Sequence, residues 1–248
     1  MNHILLRPSL VGRSLGLVAL ALVVASTVGK LAAHLIPNPY VRSAASMFDV
    51  DLEGNFPAAF SALLLLFAAL LLAIITLFER KRASSDVRYW TTLSIGFFLM
   101  AFDESFQFHE KLIRVTQNFL DLDHYGILYF SWVVPGIALV LVLGLFFARF
   151  LAKLPVQTRV SFLIAATLYL GGAIGLELVG GRLMELHGPD NFSYKVAATI
   201  EEGLEMVGAV VFIWALMVYM AANYRDVSFR FEEGVGEFRD HVQGDPSR

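Results

Sequence analysis

AAFSALLLLFAALLLAIITLF, residues 58 to 78, runs for 21 positions without an ionisable side chain. At ~1.5 Å per residue, a helix of that length crosses a hydrocarbon layer ~30 Å thick. Comparable apolar blocks extend roughly over Leu15 to Leu35, Ala58 to Phe78, Tyr89 to Phe108, Ile127 to Leu151, Ser161 to Gly181 and Val196 to Met220. None alternates apolar with polar positions as a barrel strand does, so helices are expected. Of the 248 residues, 57% are hydrophobic and only 17% charged, too little polar surface for a soluble domain of this length. The expected fold is all-α, a polytopic bundle of six transmembrane helices.

Lys and Arg are retained on the cytoplasmic side of a membrane. With the N-terminus inside, the inner segments hold Arg7 and Arg13, then Arg80, Lys81, Arg82 and Arg88, then Arg149, Lys153 and Arg159, and four arginines after Asn223. That is 13 of the 19 Lys plus Arg, whereas 14 of the 22 Asp plus Glu fall on the other side. Both termini are therefore expected in the cytoplasm. The apolar run after Arg13 exceeds the ~7 to 15 residues of a signal core and is expected to stay as a helix. Residues 1–222 form the expected membrane domain, and residues 223–248, of mixed charge, a short mobile cytoplasmic tail. With no cysteine, disulfides, thiolate ligands and a cysteine nucleophile are excluded. No basic stripe points to nucleic acid.

The stretch LMAFDESFQFHEKLI, residues 99 to 113, puts ionisable groups where a membrane helix ends. Such groups are costly in a bilayer and mark functional sites. Asp103 lies 14 residues beyond Tyr89, about 21 Å into the layer and about 9 Å short of its outer boundary. Glu177 is 16 residues beyond Ser161, and Glu201, Glu202 and Glu205 occupy the first turns of the last helix. Three helices thus carry acids at one depth. On a continuous helix Asp103, Gln107, Glu110 and Arg114 share one stripe, Glu104 and Lys111 a second, and Ser105 and His109 a third.

Acids gathered at that depth need protons or cations to neutralise them. Lys111, Arg114, Arg182, Lys195 and the histidines at 109, 124 and 187 are the nearby protein cations, and a metal is the remaining candidate. Carboxylates with one or two imidazoles and no sulfur favour Mn, Fe, Zn, Mg or Ca over Cu(I) or iron–sulfur sites, and a divalent Fe, Mn or Zn ion is the expected cofactor. The expected ligands are Glu104, His109, Glu110, Glu177, Glu202 and Glu205, with Asp103 or Glu201 as general base or as partner to a ligand. The Glu-x-x-His elements of carboxylate-bridged metal pairs are absent, so a mononuclear site or a carboxylate-rich pair fits the residues. In FDVDLEGNFPAAFS, Asn55 and Pro57 suit a helix start, and Glu53 is placed to fold back over the pocket as a further ligand or a lid residue. Gly171 and Gly175 suggest close helix packing, and Trp132 and Pro135 an interfacial anchor and a kink.

The elements E-x-N-x-P (Glu53, Asn55, Pro57), D-E-x4-H-E (Asp103, Glu104, His109, Glu110) and E-E-x-x-E-M (Glu201, Glu202, Glu205, Met206) carry a resemblance. From Asp49 to Tyr219 the chain resembles an uncharacterised family of bacterial multi-pass membrane proteins. The resemblance implies the bacterial inner membrane and brings no established activity; the charge bias then turns the acids toward the periplasm. A looser likeness, of architecture alone, is to membrane hydrolases of the alkaline ceramidase kind, whose zinc sites include an H-x-x-x-H pair that this sequence lacks.

The function these residues favour is a metal-dependent enzyme, hydrolase or oxidoreductase, acting on a lipid or other hydrophobic substrate. A proton- or divalent-cation-binding transporter is the first alternative, weakened by inner helix halves without ionisable groups. A non-catalytic accessory, assembly or sensor protein is the second.

Overall fold

The computed structural model describes residues 7–121, 124–189 and 191–224, so the expected tail lies outside the described residues from position 225 onward. The described residues are helical, without strands. In chain order they form α1 (Pro8–Leu35), α2 (Pro39–Ser46), α3 (Phe56–Lys81), α4 (Val87–Phe106), α5 (Phe108–Leu120), α6 (Val133–Lys153), α7 (Val156–Leu170), α8 (Glu177–His187) and α9 (Phe192–Asn223). A short 3-10 turn, Gly126–Leu128, precedes α6, and a π-helical segment, Gly171–Leu176, joins α7 to α8.

Five helices are long and apolar enough to cross a membrane: α1, α3, α6, α9 and the continuous run Val156–His187. The fourth helix, the expected third span, is not among them: Asp103 and Glu104, with Tyr89, Trp90 and two threonines, make it less apolar. It also stops earlier than expected, at Phe106 rather than Phe108. The block expected from Ile127 begins as a helix only at Val133, which puts Pro135 in the first turn, where it displaces no helical hydrogen bond and makes no kink.

Local chemistry sets the helix starts. Asn55 caps α3 by accepting the Ala58 N–H at 3.2 Å, as expected, and Pro57 occupies the first turn. The same amide donates to the carbonyls of Ser46 and Asp49, fastening the preceding loop. Asn191 caps α9 in the same way through Tyr194.

The longest helix, α9, is the axis of the bundle and packs on α1, α3, α7 and α8, while α4 packs on α3. Leu64, Leu72 and Ile75 of α3, Trp90 of α4 and Ile213 and Leu216 of α9 are fully buried between them. Outward positions are apolar as well: Leu17, Leu63 and Leu145 are 66%, 62% and 82% exposed. A bundle apolar inside and out is suited to a lipid surround.

Two glycines allow the closest helix approach. A Cβ on Gly208 would stand 2.7 Å from the Tyr169 backbone nitrogen, and one on Gly172 would stand 2.7 Å from the Glu201 carbonyl oxygen. Gly171 and Gly175, the expected packing pair, face open space; the small residue in contact with α9 is Gly172. The two ends of the bundle differ in charge. One gathers Asp103, Glu177 and Glu201. At the other, Arg80 and Lys81 close α3, and the Tyr224 hydroxyl donates to buried Glu79 at 2.6 Å.

Candidate functional site

The acidic end is organised by a chain reversal at Gln107. This residue takes the left-handed conformation, φ 56° and ψ 44°, and ends α4, with its N–H on the Asp103 carbonyl. The helix that follows starts at once in a new direction. Asp103 caps it from six residues upstream: its carboxylate accepts the His109 N–H at 2.9 Å and meets the His109 Nδ1 at 2.7 Å. A carboxylate at a helix N-terminus is favoured by the exposed N–H groups there. The expectation of one continuous helix is therefore corrected. The stripe from Asp103 to Arg114 is broken, and His109 sits against Asp103 rather than over Ser105.

Burial disfavours a charged His109 ring, but the hydrogen bond and charge of Asp103, helped by Glu177 and Glu110, outweigh it and raise the imidazole from 6.5 to about 9. With Nδ1 committed to Asp103, Nε2 is the nitrogen left to face a ligand. One ligand atom from each of Glu53, His109 and Glu110 lies within 4.8 Å of the others. His109 and Glu110 were expected as ligands and Glu53 as a further ligand or lid residue, and Glu53 comes in from the loop before α3.

That loop is fastened on several sides. Asp49 pairs with Lys30 at 2.8 Å, and Lys30 also donates to Thr199. The Val50 N–H donates to buried Ser26, and the Tyr194 hydroxyl to Asp51 at 3.2 Å. Glu53 itself is within hydrogen-bonding reach of the Gln107 side chain. Burial pushes the carboxyls of Asp51 and Glu53 above their ordinary values, and neighbouring acids add to the effect.

Deeper in the bundle, Glu177 opens α8 directly after the π-helical segment, a backbone irregularity common at functional sites. The Trp132 indole N–H donates to Glu177 at 2.7 Å, and its ring lies 5.1 Å from that of His109. Trp132 is thus part of the site and not a simple interfacial anchor. Glu201 reaches the Glu177 carboxyl, and the Tyr169 hydroxyl reaches Glu205. Lys111 and His124 turn elsewhere, to the Phe106 carbonyl and toward Glu185.

All eight expected site residues, Asp103, Glu104, His109, Glu110, Glu177, Glu201, Glu202 and Glu205, line one cavity of about 560 Å³. From this polar end the cavity continues between α4, α6 and α7, past Leu93, Phe97, Leu143 and Gly144, to Phe150 and Phe162. Asp51, Trp132, Tyr169 and Tyr194 were not among the expected site residues. Tyr194 had a signal: seven residues before Glu201, it shares the helical face that carries the α9 acids. Tyr169 is separated from Glu177 by the π segment, which takes the two out of simple helical register.

The donor set is one imidazole nitrogen and carboxylate oxygens, chemistry that suits Fe, Mn or Zn. The Asp103 bond to His109 holds the imidazole in one orientation. No curated protein and no solved structure matches the chain. Residues 15–220 match the family model described as Domain of unknown function (DUF8692), and the chain belongs to that family.

Proposed function

We propose that the chain is a six-span protein of a bacterial inner membrane, with a metal-dependent centre at the periplasmic mouth of its chamber that acts on a hydrophobic substrate. As α3 ends at the basic end and α6 begins at the acidic one, α4 is the span that returns the chain, and its 20 residues reach ~30 Å. The charge bias, 13 of 19 Lys plus Arg on one side, turns the basic end and both termini to the cytoplasm. Residues 1–222 are the membrane domain in this reading, followed by a cytoplasmic segment.

The observation that carries the catalytic reading is the continuity of the cavity. It joins the Asp103–His109 pair, Glu53 and Glu110 to an apolar passage inside the bundle. His109, Glu53 and Glu110 would hold the ion, and Glu104, Glu177, Glu202 and Glu205 line the chamber inward of it. Asp103 fixes the imidazole, and Glu201 is placed to move a proton within the chamber. The bound ion would supply Lewis-acid or redox chemistry. At the other extreme the passage meets Phe150, packed on buried Trp90, which argues against a transport path through the bundle.

Elemental analysis of the purified full-length protein tests this. The expected result is a divalent ion held in the wild type, lost from His109→Ala and from the Glu53→Gln/Glu110→Gln double variant, each still folded by thermal unfolding. Protein isolated metal-free, and unable to take up Fe, Mn or Zn on addition, would overturn it. So would metal-driven uptake of those ions into proteoliposomes, which belongs to a transporter.

A further inference from the structure

The sixth helix is held to the bundle mainly at its two extremities. At the acidic end Trp132 bonds Glu177. At the basic end Phe150 stacks on Tyr89 at 4.9 Å and meets Trp90 edge-on at 5.1 Å. The main backbone approach of α6 to another element is at the π segment. Elsewhere the apolar passage occupies the space beside it, lined by Leu139, Leu143 and Gly144 across from Leu93 and Leu163. From Trp132 to Phe150 the passage follows 18 residues of helix, ~27 Å, close to the thickness of a ~30 Å hydrocarbon core. A passage of that length and lining matches a long aliphatic chain.

The head end is unbalanced in charge. Nine Asp and Glu line the cavity and His109 is the one basic residue among its lining. Lys30 is committed to Asp49 and Thr199. Glu104 and Glu202 face the space without a hydrogen bond from any described residue. A phosphate or carboxylate head group would meet like charge here, whereas an ammonium would find both charge and acceptors.

We propose that the chamber binds a long-chain amine drawn sideways from the bilayer, its ammonium among Glu104, Glu202 and their neighbours and its chain in the passage beside α6. This specifies the hydrophobic ligand of the proposed function and rests on the membrane placement given there, but not on a bound metal. Lateral entry past α6 needs only side-chain displacement along the stretch between its two anchored extremities.

Binding of hexadecylamine and hexadecanoic acid to the full chain in nanodiscs, with and without a chelator, tests the proposal. The amine is expected to bind at least tenfold tighter than the acid under both conditions. Glu104→Gln/Glu202→Gln is expected to lose about tenfold for the amine. Gly144→Phe, at a position with no neighbour within 4 Å of an added Cβ, blocks the passage without a clash and is expected to abolish binding. An amine bearing a diazirine at its far end supplies a readout independent of any variant, with labelling expected around Phe150 and Phe162. Equal or tighter binding of the acid in the chelated protein, full binding by folded Gly144→Phe, or labelling confined to residues 99–113 would each overturn the inference. A metal-free protein with intact amine preference would overturn only the metal centre. A metal-loaded protein without that preference would overturn only the amine.

Discussion

Gln107 shows how one backbone angle decides which side chains meet. Positive φ in a residue other than glycine is uncommon and is seen most at Asn, Asp or His, so a Gln there gives no warning in the sequence. Along an unbroken helix, Asp103 and His109 would point about 120° apart at ~100° per residue. The reversal instead brings them to 2.7 Å. In metal-free protein the His109 ring is expected to titrate near 9 by NMR, and Asp103→Asn to return it toward 6.5. Because the folded value is raised, the stabilisation of this junction is complete below 6.5 and is lost as pH climbs through 9. Amide exchange of residues 107–112 checks that sense, with faster exchange expected above pH 9 than the chemical rate alone gives. In the proposed metal centre protons and the ion would compete for this imidazole, so metal affinity is expected to rise over that interval. Trp132→Phe keeps the ring and removes the donor to Glu177, at an expected cost of about 1 to 3 kcal/mol in thermal unfolding.

At the scale of elements, the π segment explains what spacing alone did not reveal. The small run GGAIG was legible as a place of close packing, but the widened turn shifts the helical register and makes Gly172 the contact rather than Gly171 or Gly175. Gly208→Ala is expected to destabilise by about 1 to 3 kcal/mol, since its methyl meets the backbone of Tyr169, which cannot swing away. Gly171→Ala and Gly175→Ala are expected to stay within about 0.5 kcal/mol of wild type. Parallel thermal melts of the three variants decide the register. The α9 acids, by contrast, were legible from the sequence because EEGLE lies in an uninterrupted helix, where three- and four-residue steps hold. The helix start at Asn55 was legible for a similar reason: its cap is a local bond.

At the scale of the molecule, apolar blocks were enough to read an all-helical membrane bundle, because span length is dictated by the bilayer. The arrangement of helices around α9 was not readable in that way, since it depends on contacts between segments distant in the chain. The chain's lack of cysteine makes its orientation simple to test. A membrane-impermeant thiol reagent applied to spheroplasts is expected to label Ser193→Cys, exposed at the acidic end, and not Ser85→Cys, exposed at the basic end. The reverse pattern would invert the proposed topology.

The central position of α9 also bears on how the protein is made. Among the described residues it follows the other eight helices, yet it carries three of the chamber's glutamates and packs on α1, α3, α7 and α8. Helices made earlier keep the sides that face α9 uncovered until it arrives, Tyr169 and Gly172 among them. Completion of the fold is therefore a late event in biogenesis, and nascent chains arrested before residue 192 are natural clients for membrane quality control.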